Sequence, residues 1–286
     1  MNERRMKTEK ITMDLVQKKL EGVRRRDDSN KVDYGHLLVC AGSYGMAGAA
    51  VMCGLSAITS GAGLVTYYTY DEIVPVLQTN VPQAMCKSID KEIIMGKYDA
   101  IAMGPGFLGE KAEKRIKRII KGFIGSLVLD ANALNVIARD ELCEDLKEIG
   151  KRTVLTPHEG EMGRLLGTTS SAVKADRRGS VILLSQLTGC TAVLKGSETL
   201  VAGGNGTVYV NTSGNPGLAT AGTGDVLTGI ISGLAAQGMN SLDAAITGVF
   251  IHGHAGDLAK RKKGEISMTA ADVIDMIPSA FMDAVK

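Results

Sequence analysis

Asp225 stands in "NPGLATAGTGDVLTGIISGL", directly after Gly222, Thr223 and Gly224 and just before a run of small apolar residues. Glycines allow a backbone to approach a ligand closely. Successive amides at Gly222, Thr223 and Gly224 can form an anion nest, and a helix starting there adds its positive end. Val226, Leu227, Ile230, Ile231 and Leu234 recur on one face, which predicts that helix. Asp225 then falls in its first turn, either as a cap and dipole partner worth about 1 kcal/mol or as a catalytic carboxylate. The glycines beside it favour catalysis, because a plain cap does not require them. No GxxxxGKS/T segment occurs, so a Walker-type phosphate loop is absent.

Other chemistry-bearing residues follow apolar runs. His158 lies in "TPHEGE" with Glu159 and Glu161 close by; it is either structural or part of a site. Lys195 opens "KGSET", where it can pair with a phosphate that Ser197 or Thr199 also bonds, or simply be solvated. Asp130 and Asn132 in "DANALN" can orient a ribose or an amide, or cap the following helix. "GPGFLG" at 104–109 fits the GxGxxG dinucleotide fingerprint, with Asp130 beyond it. Pro105 fixes φ inside that turn, and the motif sits mid-chain, so a nicotinamide-dependent oxidoreductase is disfavoured while contact with some ligand stays expected. His252 and His254, two apart on a predicted helix, point to different faces and are expected to be structural. No His/Cys cluster has metal-ligand spacing, so no protein-only metal site is expected.

The elements that must position these residues are short apolar runs: 36–41, 63–68, 98–103, 126–131, 152–156 and 191–195. Helical patterns alternate with most of them. In "EKAEKRIKRIIKGF", Ile116, Ile119, Ile120 and Phe123 share one face opposite Lys and Arg. Buried strands alternating with helices imply a parallel sheet covered on both sides. The candidate residues then converge on the carboxyl edge of that sheet, where open α/β sheets bind ligands. "ETLVAGGNGTVYVN" at 198–211 predicts a hairpin at one edge of the sheet, and residues beyond 225 read mostly as helices. The organisation expected is a loose N-terminal arm over 1–30 and one domain over 31–286.

Charge is nearly balanced at +2 and aromatics make up only 4% of residues, without Trp, which argues against nucleic acid and anionic membranes as partners. Five dispersed cysteines suit a reducing cytoplasm better than a disulfide framework. The charged start lacks a signal-peptide core, and the apolar stretch from Met46 to Val65, broken by glycines, reads as a buried helix feeding a strand. A cytoplasmic location is expected.

In order along the chain, "YGHLLVCAGSYGMAGAA", "AIAMGPGFLG", "LVLDANALN", "TVLTPHEGE", "AVLKGSET" and "GNPGLATAGTGDVLTGIISGL" resemble the ADP- or ATP-dependent (S)-NAD(P)H-hydrate dehydratases of the ribokinase-like superfamily, over roughly 30–280. The resemblance implies a three-layer α/β/α fold with a mostly parallel central sheet. It implies a carbon-oxygen lyase of metabolite repair that restores NADH or NADPH from its hydrate, with ADP or ATP as co-substrate and Mg²⁺. Carried over by position, Lys195, Gly196, Ser197, Glu198, Thr199, Gly222, Thr223 and Gly224 would bind the nucleotide. Ala49, Gly106, Asp130, Asn132, His158 and Asp225 would meet the hydrate, and Asp225 stands where such enzymes keep their catalytic base. A homotetramer is expected. Since about 30 residues precede the first motif, the epimerase activity of the family's long form is expected on a separate chain.

Two segments depart from the family's usual pattern. "TPHEGE" replaces "TPHPGE" and "SNKVDYG" replaces "SHKGDYG"; both are expected to bear on the entrance loops and the surroundings of His158. The nearest alternative is a small-molecule alcohol kinase of the same superfamily, of hydroxymethylpyrimidine or thiazole type. A non-catalytic nucleotide sensor is a third, which the intact "GTGD" disfavours.

Overall fold

The computed structural model describes residues 7–23 and 25–285. The strands are β1 (Lys7–Ile11), β2 (His36–Cys40), β3 (Leu64–Thr69), β4 (Met85–Ser88), β5 (Ala100–Met103), β6 (Ser126–Leu129), β7 (Thr153–Leu155), β8 (Thr191–Leu194), β9 (Leu200–Ala202) and β10 (Thr207–Asn211). The helices are α1 (Met13–Leu20), α2 (Ala47–Thr59), α3 (Val74–Asn80), α4 (Glu110–Gly122), α5 (Ala131–Arg139), α6 (Glu159–Leu165), α7 (Ser170–Ala175), α8 (Arg177–Thr188), α9 (Thr223–Ala236), α10 (Ser241–Lys263) and α11 (Ala270–Ala284).

The central strands are continuous apolar runs because both sides of the sheet are covered. In β2, Leu37 and Val39 pack into one layer with α2, α9, α10 and α11, while Leu38 and Cys40 pack into the other with α4, α5 and α8. Strand order is β1-β10-β9-β8-β7-β6-β5-β2-β3-β4. Among the described residues only β9 runs against the rest, pairing antiparallel with β8 and β10. The expected three-layer α/β/α sandwich on a mostly parallel sheet is what forms.

Two edge strands escape a reading by apolar runs. β4 is partly exposed along its length, and β1, with the sequence KTEKI, buries only Ile11. Edge strands lack a partner on one side and tolerate charge. β1 pairs parallel with β10, Lys7 opposite Thr207 and Ile11 opposite Asn211. The hairpin β9–β10 is therefore real, but it lies one strand in from the edge. Likewise, the expected loose arm over 1–30 contributes a strand and a helix to the sandwich, since Val16 and Leu20 of α1 enter the core. Residues 1–6 and Arg24 of that arm lie outside the described residues.

The run of small residues in α9 has a packing cause. A Cβ on Gly229 would stand 1.9 Å from Ser56 Oγ and 2.1 Å from the Cys53 carbonyl oxygen, so α2 and α9 touch backbone to backbone. The "SNKVDYG" segment precedes β2, at the amino-terminal edge of the sheet. There Asn30 and Asp33 form a reciprocal capping box on a short 3₁₀ turn. It is remote from the carboxyl edge, so its departure from the family pattern does not reshape the entrance loops. No helix among the described residues is long and apolar enough to cross a membrane.

Candidate active site

Asp130 follows β6 and occupies the N-cap position of α5, yet its side chain makes no capping bond. Instead Lys195 Nζ donates to Oδ1 at 2.7 Å and Thr228 Oγ1 donates to Oδ2 at 2.7 Å. With 1% of its surface exposed, Asp130 is sealed beneath the edge. Of the two expectations for it, the cap on α5 does not form, and both carboxylate oxygens are taken up within the protein. Asn132 is half-buried, and its Nδ2 donates to the Phe107 carbonyl at 2.7 Å, fixing the "GPGFLG" turn. Gly106 in that turn has φ +58°, and a Cβ there would stand 3.1 Å from Ala49 Cβ. Ala49 and Asn132 thus both pack against the 104–109 turn that contains Gly106.

His158 begins α6 as its N-cap. Its Nδ1 accepts from the amides of Gly160 at 3.0 Å and Glu161 at 3.3 Å. Glu161 completes the box by accepting from the His158 amide at 2.9 Å, and its other oxygen lies 3.4 Å from Nε2. Glu161 is itself buried and approaches Lys195 Nζ at 3.9 Å. A chain of contacts therefore runs from His158 at the surface through Glu161, Lys195 and Asp130 to Thr228 on α9.

Lys195 ends β8 with its ammonium turned inward; it is not the solvated lysine of the bland expectation. Burial works against its charge, but Asp130, Glu161 and Asp225 outweigh that and hold its pKa above the ordinary value. Beyond it the 196–199 turn is braced by Arg177, which donates to the carbonyls of Leu194 at 3.3 Å, Lys195 at 3.2 Å and Ser197. Thr199 Oγ1 closes the turn on the Gly196 carbonyl at 2.9 Å.

α9 starts from Gly222, which takes φ +90° and offers no side-chain cap. Thr223 Oγ1 is occupied by the carbonyls of Leu218 at 2.8 Å and Thr220 at 3.0 Å. The first-turn amides consequently remain for a ligand. Lys195 Nζ reaches this turn, since a Cβ on Gly224 would stand 3.6 Å from it. Asp225 lies in the same turn. Burial and then the neighbouring Asp130 charge push its pKa up to about 7, against the pull of Lys195.

Next to this turn opens a cleft of about 510 Å³. Its walls are the 196–199 turn and the 211–216 segment, and Thr223, Gly224, Leu227 and Val249 also line it. Of the candidate residues, Lys195 to Thr199, Thr223 and Gly224 line this cleft. The others sit beside it along the carboxyl edge, and the two groups meet at Lys195 and the first turn of α9. Sequence reasoning missed several contributors. Asp257 of α10 accepts from the Gly214 amide at 2.9 Å and from Asn215 Nδ2 at 3.0 Å, pinning one wall. His252, expected to be structural, lines the cleft; its Nε2 is buried without a partner among the described residues, and burial lowers its pKa to about 4. Among the described residues no group of three or more His, Cys, Asp or Glu could hold a metal ion.

A sequence profile described as NAD(P)H-hydrate dehydratase matches residues 37–279. The ADP-dependent (S)-NAD(P)H-hydrate dehydratase of Neisseria meningitidis is 40% identical over 84% of this chain and 82% of its own length. The bifunctional NAD(P)H-hydrate repair enzyme of Moorella thermoacetica is 36% identical over 89% of this chain, which spans about half (51%) of that relative. The ADP/ATP-dependent NAD(P)H-hydrate dehydratase of Bacillus subtilis, crystallised with ATP and Mg²⁺, superposes with a TM-score of 0.84 at 28% identity, covering 96% of this chain and 98% of that one.

Proposed function

The chain belongs to the NAD(P)H-hydrate dehydratase family, and from that premise we propose that it removes water from the S epimer of hydrated NADH or NADPH, consuming ADP or ATP. The observation that carries this reading is the placing of Asp225, its pKa raised to about 7, in the uncapped first turn of α9 beside Lys195. A carboxylate so placed can take a proton at neutral pH while amides and an ammonium face the same point.

Hydroxide leaves poorly and phosphate leaves well. Asp225 accepts the proton of the hydrate's hydroxyl, and that oxygen attacks the terminal phosphoryl group of the nucleotide. The nucleotide loses that group, and its P–O bond breaks as the new one forms. The first-turn amides and Lys195 face the charge on the transferring oxygens, so catalysis is positioning plus electrostatics. The ring nitrogen's lone pair then expels phosphate, and loss of a ring proton restores the dihydronicotinamide. The adenosine portion fits the cleft, with the 196–199 turn over it. With Asp130 engaged by Lys195 and Thr228, Mg²⁺ would be held chiefly by the phosphates of the nucleotide and would supply further charge neutralisation there. Ala49, Gly106, Asn132 and His158 form the side of the edge that the hydrate would occupy, leaving Asp130 behind it.

The same reading includes a cytoplasmic, homotetrameric enzyme. Five free cysteines, four of them buried, accord with a reducing compartment. Light scattering on the purified chain tests the tetramer.

The deciding experiment supplies hydrated NADH, Mg²⁺ and either ADP or ATP, and follows recovery of NADH absorbance together with phosphate release. Recovery that requires nucleotide, with phosphate in step, is expected. A stable phosphorylated product without recovery of NADH would instead identify an alcohol kinase, and nucleotide binding without any turnover would identify a sensor.

A further inference from the structure

We propose that Asp130 is a positioning residue: it holds the Lys195 ammonium against the first turn of α9, where the phosphoryl group is transferred, and does not itself touch the hydrate. What arrives at that turn follows from the dehydratase reading above; the buried contacts do not depend on it.

Both Asp130 oxygens are engaged, one by Lys195 Nζ and the other by Thr228 Oγ1, each at 2.7 Å, and the residue is 1% exposed. Thr228 lies one helical turn beyond Asp225 on α9, so the helix that carries the base also fixes the carboxylate that holds the lysine. Lys195 is tied from the other side too, since its amide donates to the Pro157 carbonyl at 2.9 Å. An ammonium has three donors. One is spent on Asp130, and Glu161 at 3.9 Å is too far to hold a second. The ammonium therefore sits beside Gly224 with donors to spare for a phosphate.

Without the Asp130 anchor, Lys195 would be drawn toward Glu161, away from α9. The groups facing Asp225 are Asp130 from the end of β6, Lys195 from the end of β8, and the Cys53 thiol from α2, which burial keeps protonated. Asp130 and Lys195 act on Asp225 in opposite directions. Neutralising Asp130 removes the first influence and, by releasing Lys195, the second as well.

The test uses the full chain and two variants, Asp130→Asn and Thr228→Val. The first measurement needs no turnover: ¹³C-carboxylate NMR follows Asp225 titration without nucleotide, its signal assigned by loss in Asp225→Asn. In Asp130→Asn the Asp225 midpoint should move by less than about half a pH unit, because loss of the Asp130 charge and withdrawal of Lys195 offset each other. The second measurement is steady-state kinetics, in which kcat should fall about 100-fold while the KM for hydrate changes less than about twofold. A fall of about one pH unit or more would overturn the proposal, because Lys195 would then have kept its place without Asp130. So would a rise in hydrate KM that accounts for the whole loss in kcat/KM, because Asp130 would then be a substrate contact. Should Asp130→Asn not fold, Thr228→Val keeps every charge and removes only the donor to Oδ2. It should lose kcat about tenfold at constant hydrate KM, and wild-type kcat in a folded Thr228→Val protein would overturn the proposal. If the wild-type chain does not dehydrate the hydrate, the dehydratase reading fails, while the NMR midpoint still decides the role of Asp130.

Discussion

Gly104 backs directly onto Asp130: a Cβ at Gly104 would stand 1.8 Å from the Asp130 carbonyl oxygen. The glycine also adopts φ +125°, a conformation that side chains oppose. The turn after β5 and the backbone that follows β6 are thereby set against each other with no room for an atom between them. Gly104→Ala should cost about 2–4 kcal/mol of stability. Thermal unfolding, with nucleotide affinity measured on the folded fraction, checks this; a Tm within about 2 °C of wild type would contradict it.

Asp225→Asn separates catalysis from stability. Loss of a general base costs about 10²–10⁴ in rate, so turnover should nearly vanish while nucleotide still binds. Stability should move the other way. The pKa of Asp225 is raised in the folded protein to about 7, so its contribution is fully present below the unfolded carboxylate pKa and is lost as pH rises through about 7. The amide, which never ionises, escapes that loss. Calorimetry should show a Tm gain of about 2–4 °C at pH 8.5 that disappears below pH 4. Equal Tm at both pH values would mean that the carboxylate is not strained by its surroundings.

On the proposed mechanism Asp225 acts as a carboxylate, so the rate should track its ionised fraction. For free enzyme and hydrate, kcat/KM should rise about tenfold per pH unit below pH 7 and level off above it. A flat profile between pH 5 and pH 8 would remove Asp225 from the proton-transfer step.

Arg177 holds the 196–199 turn through three carbonyls and also approaches Glu159 at 3.6 Å. Glu159, which stands where the family usually has proline, is thus coupled through Arg177 to the 196–199 turn. Arg177→Met should raise the KM for nucleotide about tenfold with kcat changed less than about threefold. Equal losses in kcat and kcat/KM would assign Arg177 to the transition state instead.

The central strands and the shared carboxyl edge were legible because runs such as "HLLVC" are apolar on both faces, a pattern that only a doubly covered strand tolerates. β1 and β4 were not, because an edge strand needs few apolar residues. Asp225, Lys195 and His158 could be picked out from their places at element ends. Asp130 was visible as a site residue but not in its role, because nothing near it in sequence reveals that Lys195 and Thr228 claim its two oxygens. Arg177 and Asp257 act on turns 17 to 20 and 42 to 43 residues away in the chain, and no local pattern marks them.

The pairing of β1 with β10 joins Lys7 to Thr207, a separation of 207 − 7 = 200 residues. Closing so long a loop carries a large entropy cost before any contact repays it, and such pairings slow folding. The strand that receives β1 ends at Asn211, where one wall of the cleft begins. Maturation of the ligand site is therefore coupled to the most distant contact in the sheet. During synthesis, a nascent chain can complete β2 to β7 early, while this wall of the cleft takes its final form only after β10 has emerged and captured β1.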